Sequence, residues 1–210
     1  MLKSTLTAIL LPVCILNAAA QIPADIKLKN GDLIFQDLDC GPLCDAIEEV
    51  TSSYGNRHFS HLGLVYLRGD STFLLEAIGK AVQLTPLPVF SARTKHPMLV
   101  GRVKKQYEPV VKNAVDFALS QLGVPYDDEF LYKNGKYYCS ELIYDAFKTS
   151  NGGNDFFVLQ PMTFKKPGSG KFFPVWISYY KNLGIPIPEA KPGINPGGIS
   201  TSQKIDILNP

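Results

Sequence analysis

Neither sign of charge prevails in this chain of 210 residues: 21 lysines and arginines stand against 19 aspartates and glutamates, a formal net charge of +2. No basic stripe is clustered within it, so the electrostatic footprint of a nucleic-acid surface is missing. Beyond residue 20 no apolar run approaches the ~20 residues of a membrane helix, and no transmembrane segment is expected. No internal repeat is present, which excludes a repeat array. Histidine is scarce, with His58, His61 and His96 the only three. Their spacing to the cysteines fits no usual ligand pattern, so neither a metal nor any other cofactor is expected.

The first twenty residues read as a signal peptide: Lys3 in a short basic start, an apolar run from Leu6 to Leu16, and Ala18-Ala19-Ala20 as a small-residue cleavage site before Gln21. Cys14 follows Val13 rather than a small residue, which argues against a lipid anchor. The protein is therefore expected to be exported, periplasmic or extracellular. Residues 21–184 suit a single folded domain, and 185–210, rich in Pro and Gly, suit a C-terminal strap without its own core. Export leaves Cys40, Cys44 and Cys139. Cys40 and Cys44 are close enough to bridge, although two half-buried thiols fit the spacing equally, and the odd count leaves Cys139 as the thiol expected to stay free.

The pattern along the chain is α+β. Gly31 to Gln36 reads as a short strand after a turn, and a helix capped by Asp39 or Cys40, with Pro42 in its first turn, should run to near Gly55. Phe59 to Leu67 and Thr72 to Ile78 form a hairpin around Arg68-Gly69-Asp70. Lys80 to Phe90 is Pro-interrupted, an edge strand or loop, and Met98 to Val103 is another strand. Helices follow with Pro109 near the start of one and Gly123 as its stop, from Cys139 to Asn151, and from Pro174 to Leu183. Phe156 to Phe164 and Lys171 to Phe173 read as strands.

Cys139 stands at the start of its helix, after the turn Lys133-Asn134-Gly135-Lys136. The helix dipole and the unpaired N–H groups of the first turn favour a thiolate, the nucleophilic form of cysteine. A buried, inert cysteine explains the same stretch. A nucleophile needs a base, and the base an orienting group. His96 lies in a polar loop without an evident anchor, and His58 points away from His61 in extended chain. His61 shares its strand face with Gly63, a gap in side-chain bulk that reads as room for an approaching group. Hairpin pairing then places Glu76 opposite or diagonal to His61 on the same face, and its apolar neighbours Leu74, Leu75, Ala77 and Ile78 demand a partner for the carboxylate. An edge glutamate in water and a backbone-satisfied histidine are the competing reading.

Gly31-Asp32-Leu33-Ile34-Phe35, Ser60-His61-Leu62-Gly63-Leu64-Val65, Leu75-Glu76-Ala77 and Tyr137-Tyr138-Cys139-Ser140-Glu141-Leu142-Ile143, in that order, resemble the YiiX-like permuted papain-like amidases, circularly permuted relatives of NlpC-type cell-wall peptidases. The resemblance spans residues 30 to 150. It implies a permuted papain-like, NlpC-like fold in which a helix bearing the cysteine packs on a barrel-like antiparallel sheet. It further implies Cys139 as nucleophile, His61 as base and Glu76 as orienting residue, the same three that the residues alone single out. Tyr138, Ser140, Tyr126 and Asp127 match family positions near the site and are expected on the substrate side or in support, Tyr126 and Asp127 as packing residues. The expected activity is a cysteine amidase or peptidase working through a thioester, with a peptide, cell-wall or lipid-amide substrate. A lipid-directed acyltransferase or thioesterase on the same fold, and a non-catalytic peptide- or lipid-binding module, are the alternatives.

Overall fold

The computed structural model describes residues 22–210; the expected signal peptide lies outside them. Strand β1 (Leu33–Gln36) follows Gly31, whose φ is +84° and where an added Cβ would collide with Val111 Cγ1. Only glycine suits both demands. Beside it the buried Asp32 accepts from Arg102 Nε and Nη2, each at 2.7 Å, which locks β1 to a later strand. The Gly31-Asp32 pair is thus a structural joint.

Helix α1 (Pro42–Glu49) is capped by Gly41 rather than by Asp39 or Cys40. Cys40 stays outside the helix and bridges to Cys44 in its first turn, Cα to Cα 5.4 Å. The helix also stops at Glu49, short of Gly55, which falls in a separate single turn at φ +62°. Strands β2 (His61–Arg68), β3 (Ser71–Ile78) and β4 (Ala81–Pro86) then run as a meander. Short α2 (Leu87–Ser91) precedes β5 (Leu99–Val103). The Pro109 segment is a separate 3-10 turn ahead of α3 (Val111–Ser120), because the ring cannot donate within a helix. α4 (Cys139–Ser150) begins at the cysteine. Beyond it come β6 (Gln160–Pro161), α5 (Pro174–Leu183), β7 (Pro192–Gly193), α6 (Pro196–Ser200) and β8 (Ile205–Ile207).

Six strands form an antiparallel sheet in the order β4-β3-β2-β1-β5-β8, and helices cover it, an α+β architecture. On one face α3 buries Ala114, Val115 and Ala118, and α4 buries Leu142, Ile143, Ala146 and Phe147, in one cluster with Leu62, Leu64 and Leu75. The other carries a smaller cluster of Ile34, Val65, Leu74, Phe90 and Met98. A third cluster joins α1 to α5 through Ala46, Phe164, Phe173, Trp176 and Tyr180.

Between Phe156 and Phe164 only Gln160–Pro161 is strand, paired with β7, and Lys171 to Phe173 contributes a single bridge. The aromatic residues there pack side chain to side chain instead of joining a ladder: Phe156 stacks on Phe147 at 5.0 Å and Phe157 meets it edge-on at 5.3 Å. Residues 185–210 close the same core. Ile194, Ile199 and Ile205 are buried in it, and β8 pairs with β5. Among the described residues no helix is long and apolar enough to cross a membrane.

Candidate active site

The hairpin register runs from Leu64↔Leu75 to Arg68↔Ser71 through a two-residue turn at Gly69-Asp70. Continued to the start of β2, that register sets His61 diagonal to Glu76. His61 Nε2 lies 2.6 Å from Glu76 Oε2, and both side chains are almost fully buried. With Nε2 held by the carboxylate, Nδ1 is the ring nitrogen left free, and Cys139 is the neighbour that, with Glu76, favours the protonated ring. Cys139 is free and 7% exposed, and His61 and Glu76 are buried with it.

A fourth residue completes the group. Arg93, beyond the end of α2, donates from Nη1 to Glu76 Oε2 and from Nη2 to Oε1, each at 2.8 Å. Burial pushes the Glu76 carboxyl up, but hydrogen bonds from His61 and Arg93 outweigh it and hold the group down at about 2. Burial likewise pushes the His61 imidazole down, yet its bonds to Cys139 and Glu76 prevail and raise it to about 9. At neutral pH the ring is an imidazolium beside the sulfur, the charge that stabilises a thiolate.

The gap at Gly63 serves packing rather than an approaching group. A Cβ there would lie 3.1 Å from Phe90 Cε2 and 3.1 Å from Leu74 Cβ, so the missing side chain makes room for Phe90. The Phe90 ring in turn rests 5.8 Å from the His61 ring and 5.6 Å from the Arg93 guanidinium carbon, wedging both. His96 does have an anchor: its Nε2 lies 3.0 Å from Asp39 Oδ1. His58 is exposed.

Tyr138 and Ser140 flank the cysteine and grip one backbone unit. The Tyr138 hydroxyl accepts from Ile194 N–H at 3.1 Å, and Ser140 Oγ donates to the Ile194 carbonyl at 2.9 Å. The C-terminal strap is thereby pinned on both sides of Cys139. Asp127 is fully buried and accepts from Glu129 N–H, Leu131 N–H and Asn134 Nδ2, which shapes the loop leading into α4. Tyr126 lines a cavity that opens at Cys139; burial first, and its closeness to Cys139 second, push its hydroxyl well above the usual tyrosine range and keep it protonated. No side chain caps the start of α4, and the N–H groups of its first turn face the cysteine end.

Sequence reasoning missed Arg93, Phe90 and Ile194. The signal for Arg93 was the demand of a buried carboxylate for a cation as well as an imidazole.

A family model described as "Permuted papain-like amidase enzyme, YaeF/YiiX, C92 family" matches residues 27–208. The chain is similar to a curated protein of Escherichia coli (strain K12), the uncharacterized protein YiiX, at 28% identity over 145 residues, covering 66% of this chain and 67% of that one. It is also similar to a solved structure, described as metalloprotein yiiX from Escherichia coli O157:H7, DUF1105. That likeness has a TM-score of 0.69 at 23% identity, over 86% of this chain and 96% of that chain, and concerns the fold.

Proposed function

Since the chain belongs to the permuted papain-like amidase family of YaeF/YiiX, C92, we propose that it is an exported cysteine amidase that cleaves an amide through a thioester on Cys139. One observation carries the reading: the His61 ring is held by Glu76 through Nε2 at 2.6 Å, and the free Cys139 is the neighbour that helps keep the ring protonated.

The thiolate of Cys139 attacks the amide carbon, and the carbonyl electron pair moves onto oxygen. Backbone N–H groups at the start of α4, including that of Cys139, are the donors that meet the oxyanion, and the protonated Tyr126 hydroxyl is a further neutral donor beside them. Collapse breaks the C–N bond as imidazolium His61 gives its proton to the leaving amine. The now neutral ring takes a proton from water, and the hydroxide attacks the thioester. A carboxylic acid departs, and the thiolate–imidazolium pair is restored. Glu76 stays ionised throughout and keeps Nδ1 turned to the sulfur, while Arg93 keeps Glu76 in place.

Export rests on the expected signal peptide of residues 1–20. Export and family together favour a peptide or cell-wall amide. A lipid amide or thioester is the second reading, favoured by the apolar wall beside Cys139. Activity of Cys139→Ala tests the proposal: hydrolysis should fall to background, and activity equal to wild type would end the reading.

The similar fold described as a metalloprotein raises the question of a metal here. Among the described residues, Asp37, Asp39 and His96 bring ligand atoms within 4.8 Å of one another. Two carboxylates and one imidazole suit a divalent cation, which would supply a structural tie between the end of β1 and the segment before β5. None of the three lines the cavity at Cys139.

A further inference from the structure

Gln36, the last residue of β1, is fully buried and is paired with His61 across β2. Its side chain reaches into the cluster of Ile34, Val65, Leu74, Phe90 and Met98. Nε2 donates to the Phe90 carbonyl at 2.8 Å and lies 3.5 Å from Met98 Sδ, while the buried Oε1 has no protein partner. An unpaired amide oxygen among apolar side chains costs stability, and a methionine would fill the same space without that cost. Packing therefore does not account for a glutamine at this position. What the glutamine supplies is the one strong bond that it makes, to Phe90.

That bond moors the end of a segment with few bonds of its own. α2 spans only five residues, far below the length at which a helix sustains itself, and no side chain caps its start. In the turn that closes it, the Phe90 carbonyl also receives Arg93 N–H, at 3.3 Å, a longer bond than the one from Gln36. Phe90 and Arg93 are the two residues of this segment that bear on the base. The Phe90 ring rests 5.8 Å from the His61 ring, and the Arg93 guanidinium forks onto Glu76. The Gln36 side chain itself makes no hydrogen bond to His61 or Glu76. We propose that Gln36 is a positioning residue of the site: by fixing the Phe90 carbonyl to β1 it sets where Phe90 and Arg93 stand, and through them the orientation of Glu76 and His61. The proposal rests on Cys139 and His61 being the reacting pair, and it adds the tie that holds their base to the sheet.

The test uses Gln36→Met, which keeps the volume and loses the donor, with the octanoyl amide of 7-amino-4-methylcoumarin as substrate. The variant's kcat should fall about tenfold with KM within about twofold of wild type, because orientation is lost and binding is not. A purely structural role would lower stability and leave kcat of the folded protein in place. The double variant Gln36→Met/Arg93→Met should lie within about threefold of Arg93→Met alone, since both changes release the same carboxylate. A kcat loss below about threefold for Gln36→Met, or losses that multiply in the double variant, would overturn the proposal and leave the amidase intact. Alkylation of Cys139 by iodoacetamide at pH 6.5, followed by mass on the peptide that contains it, reads the same positioning without any substrate. Its rate should drop by about threefold or more in Gln36→Met, where a displaced imidazolium stabilises less thiolate. A smaller drop overturns the proposal, and this readout decides alone if wild type cleaves no amide. Gln36→Asn, one methylene too short to reach the Phe90 carbonyl, should give the same losses if the methionine variant does not fold.

Discussion

Arg93 and Glu76 meet as a fork, Nη1 on Oε2 and Nη2 on Oε1 at 2.8 Å each, while the same Oε2 also holds His61 Nε2. The carboxylate that orients the base is itself oriented, and it is completely buried. Bidentate geometry is particular to arginine, and removing one member of such a buried pair leaves a charge with too few partners.

Arg93→Met should therefore destabilise the protein by about 3 kcal/mol, and lower kcat about tenfold by loosening the His61 ring. Because Arg93 helps hold Glu76 near 2, below its ordinary 4.5, the stability from that ionisation is present above pH 4.5 and is lost as pH falls through 2. Without Arg93 the loss should begin at higher pH. Arg93→Lys should recover part of the acid stability and less of kcat. Chemical denaturation at pH 3 and pH 7, set beside kcat, separates the two effects.

Glu76→Gln should cost less activity than His61→Ala, since the amide still accepts from Nε2 while the alanine removes the proton carrier. Losses of about tenfold to a thousandfold for the glutamine and more for the alanine are expected. Steady-state kinetics on both variants, under one set of conditions, gives the ranking. A reversed order would remove Glu76 from the orienting role.

The imidazolium of His61 sets the alkaline limit. Its folded value of about 9 lies above the ordinary 6.5, so the proton is fully held below 6.5 and lost as pH rises through 9. The leaving amine then finds no acid, and kcat/KM should fall about tenfold per unit above pH 9. The ring resonances of His61, followed by NMR, should titrate at the same pH in wild type and lower in Cys139→Ala, where the bond to sulfur is gone.

Glu141, in the first turn of α4, carries a different pH dependence. Burial pushes its carboxyl up to about 8 against the opposing bond from Lys133 N–H, and its Oε2 has no partner. The neutral form is the one that fits. Stability from it is full below 4.5 and declines as pH rises toward 8. Glu141→Gln should raise Tm at pH 8.5 by several degrees, at about 2–4 °C per kcal/mol, and change it little at pH 4.5. Thermal unfolding at the two pH values checks this.

Local pattern carried much of this molecule. The helix from Cys139 to Ser150 shows in its apolar spacing, and the diagonal of His61 and Glu76 in simple hairpin arithmetic, because both depend on short-range periodicity. Arg93 did not show, since it reaches Glu76 from a loop with no period, 17 residues away. Gly63 was misread for a related reason: the residue that fills its space, Phe90, arrives from α2, and a sequence does not say which ring will occupy a gap. Phe156 and Phe157 have the composition of a strand, yet aromatic stacking on Phe147 took them out of any ladder. Ile194 lies in a Pro/Gly-rich stretch whose role appears only once Tyr138 and Ser140 are seen to hold it.

The acyl-enzyme is the central claim. Wild type mixed with an octanoyl amide and quenched in acid within the first turnovers should gain the mass of the acyl group, on the peptide that contains Cys139. Hydroxylamine should remove that mass, and Cys139→Ser should gain none that hydroxylamine releases at neutral pH. Steady hydrolysis by a wild-type protein that never carries acyl mass, with water attacking the amide directly, would contradict the account.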